Sequence, residues 1–200
     1  MPIKTIIVDI GGVVLLENPA FWERLQQEYN APSNVEALFY GSESPWADCR
    51  TGVIDERQYT ELVARRLEME ASTLASLRQS LEWEVNRLMV DWLKGCRQGG
   101  REVIALSNAD FSLEQRLTDF GLFDLFDRVL NSARLGVAKP DPAIYQMALA
   151  HTASPAGQCL FIDDRPKNLE AASQLGLKTV LYENFDQFVL EANRLLNVPE

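Results

Sequence analysis

Short apolar runs rich in β-branched residues alternate along the chain with longer segments whose apolar residues recur at helical spacing. The candidate strands are residues 4–8, 102–106, 128–130, 160–162 and 178–181. Among the segments between them, residues 86–98 and 168–174 have a helical pattern, and glycine follows each of them, as it often does at the end of a helix. Strands that alternate with helices predict an α/β fold with a doubly wound, Rossmann-like parallel sheet.

One connection is too long for this pattern. The first strand ends at Asp9 and the next begins near Glu102, whereas a crossover between parallel strands needs little more than a dozen residues. The intervening chain has the pattern of four amphipathic helices, at residues 19–29, 33–39, 55–67 and 72–83. We therefore predict an α/β core of residues 1–15 and 86–200, with an inserted helical cap of residues 16–85 over the end of the sheet.

Charge and composition narrow the possible partners. The chain has 29 acidic and 19 basic residues, and this excess of negative charge argues against nucleic acid or an anionic membrane as a general partner. No apolar run approaches the roughly 18 residues of a membrane span, and the first strand meets an acid too early for a signal peptide. We expect a cytoplasmic protein that binds a small molecule, and no sequence feature indicates an oligomeric state.

Polar residues follow the predicted strands at the points where ligands bind in open parallel sheets. Asp9 follows the first strand, and Lys139 lies in the segment after the third. The others are Ser107, Asn108, Asp163 and Asp164. Because the carboxyl ends of parallel strands meet at one edge, these side chains are predicted to converge on one crevice.

Three converging carboxylates imply a cation, since without one they would repel each other. A site made only of oxygen ligands suits Mg²⁺. An ionised aspartate can attack phosphorus, while a lysine and a hydroxyl group neutralise the phosphoryl oxygens. Asp9 fits the role of the attacking aspartate, and Lys139 and Ser107 fit the roles of the lysine and the hydroxyl group.

Four segments in this order resemble the haloacid dehalogenase-like superfamily. They are IIVDIGGVV, IALSN, AKPDPAIY and FIDDRPKN, and together they extend the resemblance over nearly the whole chain. The stretch WADCRTGVIDERQY, residues 46–59, resembles the cap segment of that family whose loop faces the active site. The first motif, of the form D-x-G, is similar to that of some sugar-phosphate phosphatases of the same branch.

The resemblance implies a Mg²⁺-dependent phosphatase in which Asp9 is the nucleophile. It places Mg²⁺ on Asp9, the backbone carbonyl of Gly11 and Asp164, with Asp163 in support of the metal.

In the same resemblance, Ser107 and Lys139 hold the phosphoryl group. Asn108 orients a neighbouring group or a substrate oxygen, and Asn168 points back from the first turn of the following helix. Arg50, in the cap loop, is a candidate substrate contact.

Gly11 departs from the family pattern, because many of these phosphatases have an aspartate there that protonates the leaving oxygen and then activates water. The general acid is therefore unassigned. Glycine suits a tight loop that approaches a ligand closely.

Two alternatives stay open. A 2-haloacid dehalogenase shares the aspartate nucleophile and the LSN segment, but it needs no metal, and the acidic pair in FIDDRPKN argues against it. The other alternative is a phosphate-binding module whose turnover is impaired by the loss of the acid at position 11.

Overall fold

A computed structural model of the chain describes residues 2–196. The strands are β1 (Thr5–Val8), β2 (Leu15–Glu17), β3 (Trp83–Val85), β4 (Glu102–Ser107), β5 (Arg128–Asn131), β6 (Cys159–Asp163) and β7 (Lys178–Leu181). The helices are α1 (Pro19–Tyr29), α2 (Glu36–Tyr40), α3 (Trp46–Cys49), α4 (Glu56–Arg66), α5 (Ala71–Leu81), α6 (Arg87–Gln98), α7 (Leu113–Asp119), α8 (Ser132–Leu135), α9 (Pro142–Ala150), α10 (Pro166–Gln174) and α11 (Phe185–Leu196). In this part of the chain, no helix has the length and apolar character needed to cross a bilayer.

Five of these strands form a parallel sheet in the order β5-β4-β1-β6-β7, which confirms the predicted fold class. The central strand β1 is fully buried, as expected for a strand covered by helices on both faces. Val8, its last residue, pairs with Ala105 of β4 and Ile162 of β6. This register brings the carboxyl ends of β1, β4 and β6 to one edge of the sheet.

Helices cover the sheet on both faces. On one face, α6 and α11 pack apolar residues such as Leu93 and Phe188 against alternate residues of the strands. On the other face, α9 and α10 contribute Ile144 and Ala172 among others. Neither apolar cluster of the core includes a residue from the segment 18–82.

The inserted segment has an apolar cluster of its own, built by helices α1 to α5. Aromatic rings dominate this cluster, and Phe21, Trp22 and Phe39 contact one another edge to face at centroid distances of 4.7 to 5.7 Å. Helix α4 begins with a capping box, in which the Asp55 carboxylate accepts from the backbone of Gln58. We call residues 18–82 the cap helices.

A short antiparallel ribbon of β2 and β3 joins the cap helices to the core, and the sequence did not predict it. Trp83 was assigned to the end of a helix, but that helix stops at Leu81 and Trp83 pairs with Glu17. Tryptophan and valine favour extended backbone where a partner strand is present. The segment 33–39 also differs, because residues 33–35 form turns and α2 begins at Glu36.

Candidate functional site

A cavity of about 570 Å³ opens at the carboxyl edge of the sheet, between the core and the cap helices. Its core side includes Asp9, Ser107 and Asp164, so three residues predicted from the strand ends border one space. Its cap side includes Tyr40 and Arg78. The site therefore draws on both parts of the chain.

Lys139 lies beneath this cavity with a fully buried side chain. Its ammonium Nζ donates to Asp163 Oδ2 at 2.7 Å and forms an ion pair with Asp9 Oδ2 at 2.8 Å. The lysine precedes a cis peptide bond to Pro140. Lys139 thus lies between two carboxylates that the sequence placed on different strands.

Asn108 fixes the backbone of Lys139 from the neighbouring strand end. Its Oδ1 accepts from the Lys139 amide at 2.8 Å, and its Nδ2 donates to the Lys139 carbonyl at 2.9 Å. Both ends of the amide are therefore used within the protein. Asn108 therefore orients a neighbouring group; because it also lines the cavity, its contact with a substrate oxygen stays a prediction.

Burial and neighbouring charges shift the acidities of this group. Burial raises the pKa of Asp9 to about 7; Lys139 opposes that rise, and the carboxylate of Asp163 adds to it. Burial also acts to lower the pKa of Lys139, but the two carboxylates outweigh burial and hold it above its usual range. Lys139 accordingly stays charged and favours the ionised form of Asp9.

Asp163 and Asp164 are adjacent but have different surroundings. Asp163 Oδ1 accepts from the Arg165 amide and from Asn168 Nδ2, both at 2.8 Å, while its Oδ2 accepts from Lys139. Asp164 Oδ1 is buried and has no hydrogen-bond partner within residues 2–196. Burial, with help from the Asp163 charge, raises the pKa of Asp164.

The different surroundings of Asp163 and Asp164 are those expected at a binding site for a divalent cation. One carboxylate oxygen from each of Asp9, Asp163 and Asp164 lies within 4.8 Å of the other two. A buried carboxylate oxygen without a partner is costly, and oxygen ligands are those that Mg²⁺ prefers. Asp164 is therefore free to bind a metal, whereas the hydrogen bonds of Asp163 suit a supporting position behind it.

The two glycines after Asp9 have different requirements. Gly12, not Gly11, has a left-handed backbone, with φ of 79°, and a Cβ there would lie 2.6 Å from Asp164 Oδ2. A Cβ at Gly11 would meet only the Trp83 ring, at 3.6 and 3.8 Å, which is ordinary contact. The left-handed backbone therefore requires glycine at position 12, and a close approach of the Gly11 backbone to a ligand stays a prediction.

Arg50 is outside the wall of this cavity. Its Nε is buried and unpaired within the described part of the chain, and burial together with the nearby Arg165 lowers its pKa. Two residues later, Gly52 packs so closely on the core that a Cβ would lie 2.3 Å from the Ala133 carbonyl oxygen. The cap loop thus contacts the core, and a substrate contact by Arg50 stays a prediction.

A buried group of charges at the junction of cap and core was missed by sequence reasoning. Arg78 of α5 donates to Glu82 at 3.0 Å and lies 3.5 Å from Asp110 of the core. Arg116 of α7 pairs with the same Asp110 at 3.3 Å, and Tyr40 donates to Glu82 at 2.9 Å. Although burial opposes it, the nearby arginines lower the pKa of Asp110, which keeps the carboxylate ionised.

Comparison with known proteins agrees with this arrangement. The sequence model of the haloacid dehalogenase-like hydrolase family matches residues 3–176. Over 67 residues the chain is 45% identical to haloacid dehalogenase-like hydrolase domain-containing protein 3 of Mus musculus, a match that covers 34% of this chain and 27% of that protein. The chain spans at most 30% of the length of this relative and of two other curated relatives.

Solved structures extend the likeness to the whole fold. A HAD-like family hydrolase from Porphyromonas gingivalis is similar over 100% of both chains, with a TM-score of 0.80 and 22% identity. The HAD family enzyme bt-2542 from Bacteroides thetaiotaomicron, solved with magnesium and inorganic phosphate, has a TM-score of 0.74 and 20% identity. That similarity covers 92% of this chain and 97% of that one, and at these identities it establishes the fold.

Proposed function

Because the chain belongs to the haloacid dehalogenase-like hydrolase family, we propose that it is a Mg²⁺-dependent phosphatase that hydrolyses a small phosphomonoester through an aspartyl-phosphate on Asp9. The observation that carries this proposal is the unpaired, buried Oδ1 of Asp164 beside the carboxylates of Asp9 and Asp163. A dehalogenase of the same fold acts at carbon without a metal, so its reaction does not require this group of three carboxylates. The complex of bt-2542 with magnesium and phosphate supports the same choice.

The proposed reaction has two steps at Asp9. The carboxylate attacks phosphorus, a bond forms between Asp9 and the phosphoryl group, the bond from phosphorus to the ester oxygen breaks, and the leaving alkoxide takes up a proton from solvent. Water then attacks phosphorus and the bond from phosphorus to Asp9 breaks, which restores the carboxylate and releases inorganic phosphate and the proton lost by water. Bound Mg²⁺ would neutralise charge on the phosphoryl oxygens and hold them against Asp9.

Lys139 and Ser107 have the proposed roles of favouring ionised Asp9 and of positioning the phosphoryl group. Lys139 has two of its three donors on Asp9 and Asp163, so it favours the ionised form of Asp9 and has one donor left for a phosphoryl oxygen. Ser107 borders the cavity at the end of β4, where its hydroxyl group can donate to another phosphoryl oxygen. The cavity of about 570 Å³, bordered on one side by the cap helices, suits a small phosphorylated metabolite.

Hydrolysis assays with and without Mg²⁺ test this function. We expect release of phosphate from small esters such as p-nitrophenyl phosphate, loss of that activity on exhaustive chelation with EDTA, and recovery on addition of Mg²⁺. Assays with 2-chloropropionate and a halide readout form the second arm. Ester hydrolysis that persists after chelation, or chloride release without phosphatase activity, would contradict the proposal, and phosphate binding without turnover of any ester would favour the impaired module.

The missing acid at position 11 predicts a strong dependence on the leaving group. General acid catalysis is typically worth ~10²- to 10⁴-fold, and esters with poor alkoxide leaving groups depend on it most. We expect Gly11→Asp to accelerate hydrolysis of ethyl phosphate by about 10²-fold and that of p-nitrophenyl phosphate much less. The measurement is the single-turnover rate for each ester.

Gly11→Ala is the matched control, because it adds the Cβ that the Trp83 ring accommodates without adding an acid. It should leave the ratio of the two rates unchanged. A wild-type enzyme that already hydrolyses both esters at similar single-turnover rates would show that another group donates the proton.

A further inference from the structure

An indole ring borders the cavity next to the residue two positions after Asp9. Trp83 Cη2 and Cζ3 lie 3.6 and 3.8 Å from the place of a Cβ at Gly11, and both residues line the cavity. With the phosphoryl group at Asp9, the leaving group extends into this cavity. Trp83 is therefore within reach of the part of the substrate next to phosphorus.

The ring is held in place from two sides. Its backbone pairs with Glu17 in the ribbon of β2 and β3, and the Arg116 guanidinium lies 5.7 Å from the ring centroid. Arg116 is itself fixed by its ion pair with Asp110. The indole Nε1 is buried and unpaired among residues 2–196, so no hydrogen bond within that range satisfies this donor.

Two arginines that line the cavity with Trp83, Arg78 and Arg116, are already paired with carboxylates. Arg78 lies against Glu82 and Asp110, and Arg116 lies against Asp110. A second anionic group on the substrate would therefore compete with buried carboxylates for these guanidinium groups, at the cost of leaving one of them unpaired. An uncharged ring in the substrate does not compete for these guanidinium groups, and its stacking on the indole of Trp83 is favourable.

We propose that Trp83 is a specificity-determining residue that stacks on a ring in the leaving group, so that the preferred substrates are monoesters whose phosphate is attached to, or one carbon from, a ring. This inference rests on the proposed function. Either an aromatic ring or the apolar face of a saturated ring supplies the contact.

Binding of non-hydrolysable phosphonates tests the contact separately from turnover. Calorimetry in the presence of Mg²⁺ compares methylphosphonate, benzylphosphonate and cyclohexylmethylphosphonate. We expect the ring compounds to bind the wild type more tightly than methylphosphonate does, and Trp83→Leu to lose about 3- to 10-fold of that advantage. Trp83→Phe should retain part of it, and the two ring compounds distinguish aromatic stacking from contact with a saturated face.

Trp92→Phe is the matched control, because Trp92 packs on Phe188 in the core, 4.8 Å away, and does not line the cavity. It should leave all three affinities unchanged. Equal effects of Trp83→Leu on methylphosphonate and the ring compounds would overturn the inference and leave the phosphatase proposal intact. Failure of methylphosphonate to bind, together with no ester hydrolysis, would instead overturn the proposed function.

Discussion

Replacing Asp9 with asparagine is expected to lower kcat for every phosphate ester by at least ~10³-fold, because the amide cannot serve as the anionic nucleophile. The amide is nearly isosteric with the carboxylate, but the Ile10 amide and Lys139 contact different oxygens of Asp9, at 2.7 and 2.8 Å, so the single amide oxygen keeps only one of these contacts. Burial opposes the charge on Asp9, so a neutral side chain is tolerated there. We therefore expect the fold to stay intact.

Two measurements make this expectation specific. After an acid quench, wild-type protein mixed with a labelled ester should carry a label that hydroxylamine removes, as an acyl phosphate does, and the Asp9→Asn protein should carry none. Asp91→Asn is the matched control, since Asp91 is an exposed residue of α6 whose side chain is 74% accessible. Turnover of the Asp9 variant within tenfold of the wild type would remove Asp9 from the nucleophile's role.

The ends of the core strands were predictable because each is a buried apolar run that stops at a polar residue. Asp9, Ser107 and Asp163 all follow or close such runs, and parallel pairing then brings them to one edge. The sequence could not give the contacts among them. That Asn108 holds the backbone of Lys139, 31 residues away, depends on a loop conformation that no local pattern specifies.

The junction of cap and core was the least predictable part. Strands β2 and β3 have three residues each, which is too short for alternation to be recognised, and they pair across 65 residues of intervening cap. In the sequence, Trp83 therefore fits the apolar pattern of the preceding helix and is predicted to be the end of that helix. Arg78 lies on an amphipathic helix whose sequence gives no sign that its charge meets Asp110 of the core.

Replacing Lys139 with methionine is expected to lower the free energy of unfolding by about 3 kcal/mol or more, measured by urea denaturation in EDTA at pH 8. The substitution keeps much of the side-chain volume, so the cavity term is small. It leaves the Asp9 and Asp163 carboxylates without the cation that lies 2.8 and 2.7 Å from them. Removing one member of a buried charge group lowers the free energy of unfolding by more than the intact group contributes to it, because the remaining charges stay desolvated.

A double variant separates this charge effect from lost packing. In Lys139→Met with Asp163→Asn, the amide oxygen can still accept from Arg165 and Asn168, while one of the two unpaired charges is gone. If charge is the cause, the double variant should be more stable than Lys139→Met alone by at least about 1 kcal/mol. Lys167→Met, at an exposed position of α10, serves as the control for loss of a lysine and should change stability by less than about 0.5 kcal/mol. A double variant no more stable than Lys139→Met would show that Lys139 acts mainly through packing, and its proposed effect on the ionisation of Asp9 would then have no support.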